Sequence, residues 1–150
     1  DEAEALLRGA RTLLGEGAMF VVGADVAKDP GVLIPAYDDA QGVTAAFNRN
    51  VLVHINRELG GTFDPAAFDH RAIWNADESR IEMHLESVRD QIVMVGDHGF
   101  RFARGETIHT ENSYKYRPEA FEAIAGRAGW TVARRWISPE PAFGVYLLTT

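Results

Sequence analysis

The chain contains no cysteine among its 150 residues. That excludes a disulfide framework, a thiolate metal site and a cysteine nucleophile. It is short of positive charge, with 15 Lys and Arg against 22 Asp and Glu and a formal net charge of −7. No run of Lys or Arg exceeds two residues. Sequence-independent nucleic-acid binding needs a concentrated basic surface, and membrane-surface binding a basic amphipathic stretch, so both classes are disfavoured. No apolar run reaches the roughly 18–20 residues of a membrane span, and the first residues are acidic rather than signal-like. GxSxG, HExxH and a GxG turn after a strand are missing as well, as are internal repeats. What is present, 46% hydrophobic and 25% charged residues, is the composition of a globular protein with a real core. A cytoplasmic location fits all of this.

Along the chain, "DEAEALLRGARTLLGEG" reads as an amphipathic helix with acids in its first turn, ended by Gly15 and Gly17. "AMFVVGADV" is short, apolar and β-branched, as a buried strand is. Asp29–Pro30 is an N-cap with proline at the first helical position. Pro35 should interrupt, and residues 36–59 should form the longest helix, with Val43, Phe47, Val51, Ile55 and Leu59 as its core stripe. Tyr37, Gln41, Thr44 and Asn48 give that helix a neighbouring face that is polar, either solvated or lining a site. Asp64–Pro65 starts a short helix. From Ala72 to about Glu111 strands alternate with the turn signals "NADES", "RD", "GDHG" and "ARGE". Pro118 opens a further helix behind Arg117, a poor N-cap, and the chain closes as a hairpin with Pro139 and Pro141 in its turn. Lys28 and Lys115 read as surface charges.

One helix–strand unit at the start and one helix–hairpin at the end are α/β-like, yet they cannot build a two-sided sheet unaided. The chain is expected to be the back half of something larger. Between them lies "GETIHTENSYKY", in which period-two geometry would point His109, Glu111 and Ser113 to one face of a strand. Glu82 and His84 share a face of another strand. Were the two strands neighbours, these imidazoles and carboxylates would make a metal site, and the Glu82 face rather than the Met83 face would have to meet Glu111. A non-catalytic module that binds an amino acid or a partner protein is the other alternative.

Four stretches, "ADVAKDPGVLIPAYDDAQGVTAAFN", "FDHRAIWNADESRIEMHLES", "GETIHTENSYKY" and the terminal "AGW…W…FGVYLL", together resemble the C-terminal half of the histidine-specific Nα-methyltransferases. These enzymes make trimethylated histidine, hercynine, from S-adenosylmethionine on the way to ergothioneine. The resemblance runs from about Leu6 to Leu148. It implies a Rossmann-type methyltransferase with a large α+β substrate-recognition insertion. Residues 1–28 and 113–150 would be part of the methyltransferase core, with "AMFVVGADV" as its fifth strand, and residues 29–112 the inserted recognition domain. The glycine-rich turn that cradles the cofactor would lie outside this chain. So would its partner surface: apolar edges at Val21, Val22 and Val145 would meet the missing N-terminal half or a second copy.

The resemblance also implies roles residue by residue. Glu111 and Ser113 match the acid and hydroxyl of the "TENS" motif that reads the substrate imidazole, Tyr37 in "AYDDA" matches a tyrosine that holds the substrate carboxylate, and Met83 in "RIEMHL" matches a pocket-wall methionine. Thr44 in "GVTAAFN" faces the same pocket. Tyr114 stands where the family pattern has His, and Arg117 where it has Thr or Ser. The chemistry suits these residue types. An acid facing an imidazole N–H supplies a charge-assisted hydrogen bond of about 1.5–3 kcal/mol, and orientation of amine and donor for in-line transfer is worth roughly 7–11 kcal/mol.

Overall fold

The computed structural model describes residues 2–150. In chain order the elements are α1 (Glu2–Leu14), β1 (Met19–Asp25), α2 (Pro30–Tyr37), α3 (Val43–Leu59), β2 (Phe68–Asn75), β3 (Arg80–Ser87), β4 (Gln91–Val95), β5 (His98–Phe102), β6 (Thr107–Tyr114), α4 (Pro118–Arg127), β7 (Thr131–Ile137) and β8 (Phe143–Thr149). A 3-10 turn, Pro65–Ala67, precedes β2 and is capped by the Asp64 carboxylate. The chain divides into two compact units, residues 2–28 with Tyr114–Thr150, and Asp29–Ser113. Both mix helices with antiparallel strands, and none of the described helices is long and apolar enough to cross a membrane.

The first unit is a three-stranded sheet in the order β1–β8–β7, antiparallel throughout. Its core gathers Leu7 of α1, Phe121 and Ala125 of α4, and Trp130, Tyr146 and Leu148. The Trp130 indole N–H donates to the Leu7 carbonyl at 2.8 Å, so the buried ring keeps its one polar atom satisfied. Gly129, at φ 87°, ends α4 in the left-handed conformation that a side chain would disfavour. Arg117 precedes α4 with no side-chain cap bond, as its residue type foretells.

Two expectations change here. β1 is an edge strand and is buried on one face only, with Met19 72% and Val21 63% exposed. Its apolar run reads as fully buried because a run of that kind does not say which neighbours are present. Lys115 is no surface charge: its side chain has no exposure, and its Nζ lies 3.0 Å from Asp25 Oδ2. Lys28 Nζ lies 2.6 Å from the other oxygen of that carboxylate. Burial alone would raise the Asp25 carboxyl, but the bonds from Lys28 and Lys115 outweigh it and hold it below its ordinary range.

In the second unit, α2 and α3 lie against a sheet ordered β2–β3–β6, and β4–β5 form a separate hairpin. β2 and β3 pair from Phe68↔Ser87 to Asn75↔Arg80 around the "NADES" turn. Leu52 of α3 packs with Ala67, Phe68 and Leu85, flanked by Phe63, Phe102 and Ile108.

The long helix expected over residues 36–59 is two helices. Pro35 lies inside α2, and the break falls at residues 38–42. Asp39 makes that break, because its carboxylate accepts the Val43 and Thr44 N–H groups at 3.0 and 2.8 Å and so starts α3. Gly42, at φ 71°, turns the chain between them. The expected core stripe faces outward: Val43, Phe47 and Leu59 are 65%, 67% and 59% exposed. The row that faces the sheet carries Asn48 and Leu52, both buried. The sheet supplies the reason, since Phe68 and Leu85 need an apolar side chain over them and the His70 ring and His84 carbonyl need an amide.

Candidate functional site

The site residues come from separate stretches of the second unit. Tyr37 ends α2, and Ser113 lies near the end of β6, yet their hydroxyls meet at 2.7 Å. Both side chains are half-buried. Glu111 lines a cavity of about 320 Å³ with Phe47, Asn48, Val51 and His54 of α3 and Thr110 of β6. The Thr110 hydroxyl donates to the Met83 carbonyl at 2.9 Å, which ties this wall to β3. Met83 itself is 4% exposed. Thr44 is half-buried and spends both its N–H and its hydroxyl on Asp39. Those hydrogen bonds, with the one from the Val43 N–H, hold the Asp39 carboxyl down at about 2.

Of the three residues expected on one polar face, His109 and Glu111 are exposed and Ser113 is half-buried. Exposure alternates from Thr107 to Glu111 and slips at Asn112, so Ser113 is half-buried where the alternation would have exposed it. A hydrogen bond between His109 Nε2 and Asn112 Oδ1, 2.7 Å long and three residues apart, marks the irregularity.

His109 instead meets β3. Its ring stacks on that of His84, centroids 4.5 Å apart and planes 20° from parallel. With Glu82 these histidines form the cluster that a metal site requires, their ligand atoms within 4.8 Å of one another. Glu82 is already committed, however. Its Oε1 accepts from Asn75 and from Arg80, at 2.9 and 2.8 Å, and its Oε2 accepts from His84 Nε2 at 3.1 Å. The hydrogen bonds from Asn75, Arg80 and His84, in that order, hold the carboxyl at about 2. Stacked rings present faces rather than lone pairs to each other, and a guanidinium on the third ligand opposes a dication. Glu111, the fourth group of that reading, lines the cavity with Thr110 and is not one of the three clustered ligands.

Two residues that bond to the candidate site residues are not singled out by the sequence. His70 on β2 is 8% exposed and bonds to both Asn48 and the Tyr37 carbonyl. Asp39 starts α3 beside Thr44. Asp39 could have been found from "DDAQGV", where an acid precedes a glycine and an apolar run. His70 has no such local signal, since its partners lie 22 and 33 residues away.

Comparison with known proteins gives a consistent result. The model of the family described as histidine-specific, SAM-dependent methyltransferase matches residues 1–150. Histidine N-alpha-methyltransferase of Mycolicibacterium smegmatis is 48% identical over 136 residues, covering 89% of this chain and 42% of that protein. Its namesake in Mycobacterium tuberculosis is 47% identical over 133 residues, covering 87% and 41%. Ergothioneine biosynthesis protein 1 of Neurospora crassa is 29% identical over 154 residues, covering 98% of this chain and 17% of that protein. The chain thus spans about two fifths of the length of its mycobacterial relatives. Matched from its first residue to its last, it belongs to the SAM-dependent, histidine-specific methyltransferases.

Proposed function

We propose that this chain is the substrate-recognition part of an L-histidine Nα-methyltransferase that forms trimethylhistidine (hercynine) for ergothioneine synthesis. The observation that carries the reading is the meeting of the Tyr37 and Ser113 hydroxyls, which joins α2 to the "TENS" strand at a point where a small polar substrate could be held. In this reading Tyr37 holds the substrate carboxylate, Glu111 and Ser113 read the imidazole, and Met83 and Thr44 complete the pocket wall. Among the described residues, those that line the cavity with Glu111 include no Lys or Arg, which suits a carboxylate that accepts a ring N–H. The names of the relatives support histidine as substrate. The two mycobacterial histidine enzymes are 48% and 47% identical, whereas an Aspergillus fumigatus protein named only as an N-methyltransferase is 28% identical.

S-adenosylmethionine would supply the methyl group as an already activated sulfonium. The described residues hold no cradle for it. The strand-to-helix turns, 26–29 and 115–117, contain no glycine that would let backbone close on a nucleoside. In this reading the methyl donor is held by parts of the longer relatives that this chain does not match. The first unit would then be the end of a Rossmann-type core, and the second its inserted recognition domain. A mass-spectrometric assay tests the whole reading: S-adenosylmethionine with a panel of free amino acids, on the longest natural polypeptide containing this segment. Histidine should gain up to three methyl groups. In the same assay Glu111→Ala should lose selectivity for histidine by about ten- to a hundred-fold while its KM for S-adenosylmethionine holds. Unchanged selectivity would remove Glu111 from the site.

A further inference from the structure

Tyr37 is the last residue of α2, and the carbonyl groups of a final helical turn have no partner within their own helix. Here the Tyr37 carbonyl receives the His70 imidazole at 2.7 Å. A carbonyl only accepts, so His70 Nε2 carries the proton. In the neutral ring Nδ1 must then accept, and it faces the Asn48 side-chain amide at 3.0 Å. The same amide nitrogen reaches the His84 carbonyl at 3.2 Å, which uses its second hydrogen. Asn48 and His70 are 4% and 8% exposed. Each of these three hydrogen bonds has one assigned direction, and α2, α3, β2 and β3 each contribute to the network.

We propose that His70, oriented by Asn48, is a positioning residue that fixes Tyr37 for the substrate. Tyr37 is gripped at both ends, its carbonyl by His70 and its hydroxyl by Ser113. Where the α2 terminus sits decides where the phenol sits. His70 touches no substrate; it sets the geometry of the residue that does. The inference rests on the reading of Tyr37 as a substrate contact.

The test uses the longest natural polypeptide containing this segment, with His70→Leu, His70→Gln, Tyr37→Phe and the double variant Tyr37→Phe/His70→Leu. His70→Leu should raise KM for histidine by roughly 5- to 100-fold, the range for an unmet buried polar group, and leave KM for S-adenosylmethionine within about twofold. The glutamine variant, whose amide can replace the Nε2–H donor, should recover most of that loss. The double variant should be no worse than the more damaged single, since both changes act through one residue. Full additivity, or an equal rise in both KM values, would overturn the proposal. An independent readout comes from long-range 1H–15N NMR of this chain. It should show the Nε2–H tautomer at His70, and an Nδ1–H tautomer would overturn the clamp whatever the kinetics. Absence of histidine methylation by the unsubstituted protein would overturn the substrate role, and the tautomer would still decide the clamp.

Discussion

The Asp25 carboxylate carries two lysines, one of them wholly buried, and this makes it the residue whose loss should hurt most out of proportion to its size. Asp25→Asn takes a full negative charge from beside the buried Lys115 ammonium. It should lower stability by about 3–5 kcal/mol in urea denaturation. Removing Lys28, which is partly exposed, should cost far less. Asp39 sets a different expectation, one of pH. Its carboxyl stands at about 2 in the folded chain against an ordinary 3.8, so its contribution is complete above the unfolded value and is lost as pH falls from about 5 towards 2. The Tm difference between the unsubstituted chain and Asp39→Asn should therefore be constant at neutral pH and shrink through that window. A difference that persists at pH 2 would show that the cap does not act through its charge. At this scale the sequence shows the site only partly. Tyr37, Glu111 and Ser113 stand in motifs, whereas His70 and the burial of Lys115 depend on which strands become neighbours.

α3 shows what separates one face of a helix from another. Leu52→Ala removes a fully buried side chain from the cluster with Phe68 and Leu85, and should cost about 2–5 kcal/mol. Phe47→Ser, one turn away on the exposed row, should stay within about 0.5 kcal/mol in this chain. Chemical denaturation of the two variants checks the assignment of faces, and equal losses would contradict it. Elements with their own punctuation are legible in the amino-acid sequence itself. α1 ends on glycines, α2 opens on Asp29–Pro30, α4 opens on Pro118, and "NADES" and "ARGE" separate the strands as the turn chemistry requires. The break at residues 38–42 is only half legible there: Asp39 and Gly42 mark it, but Tyr37, Gln41 and Thr44 happen to continue a helical period across it. The apolar step of four from Val43 misleads for a related reason: periodicity names a stripe, but only the surface it meets decides whether that stripe is covered.

At the scale of the whole molecule, each unit has its own buried cluster, one around Trp130 and Tyr146 and one around Leu52 and Phe68. Leu52→Ala should therefore speed amide exchange across residues 29–113 far more than in β7 and β8, and a uniform increase would show that the two cores open together. The first unit is also discontinuous in sequence. Its chain leaves at Lys28 and returns at Tyr114, and the two ends are stitched by the Val26–Tyr116 bridge, with the Ala27 N–H on the Tyr116 carbonyl at 3.1 Å. During synthesis from the N-terminus this order matters. β1 leaves the ribosome well before β8, its antiparallel partner, and the second unit can close in the interval. The apolar strand must wait for the last segment to be made, so translation speed and chaperone cover over residues 29–142 govern how much chain is lost to aggregation. A graft that joins Lys28 to Tyr114 through a short linker would shorten that wait to the length of α4 and β7.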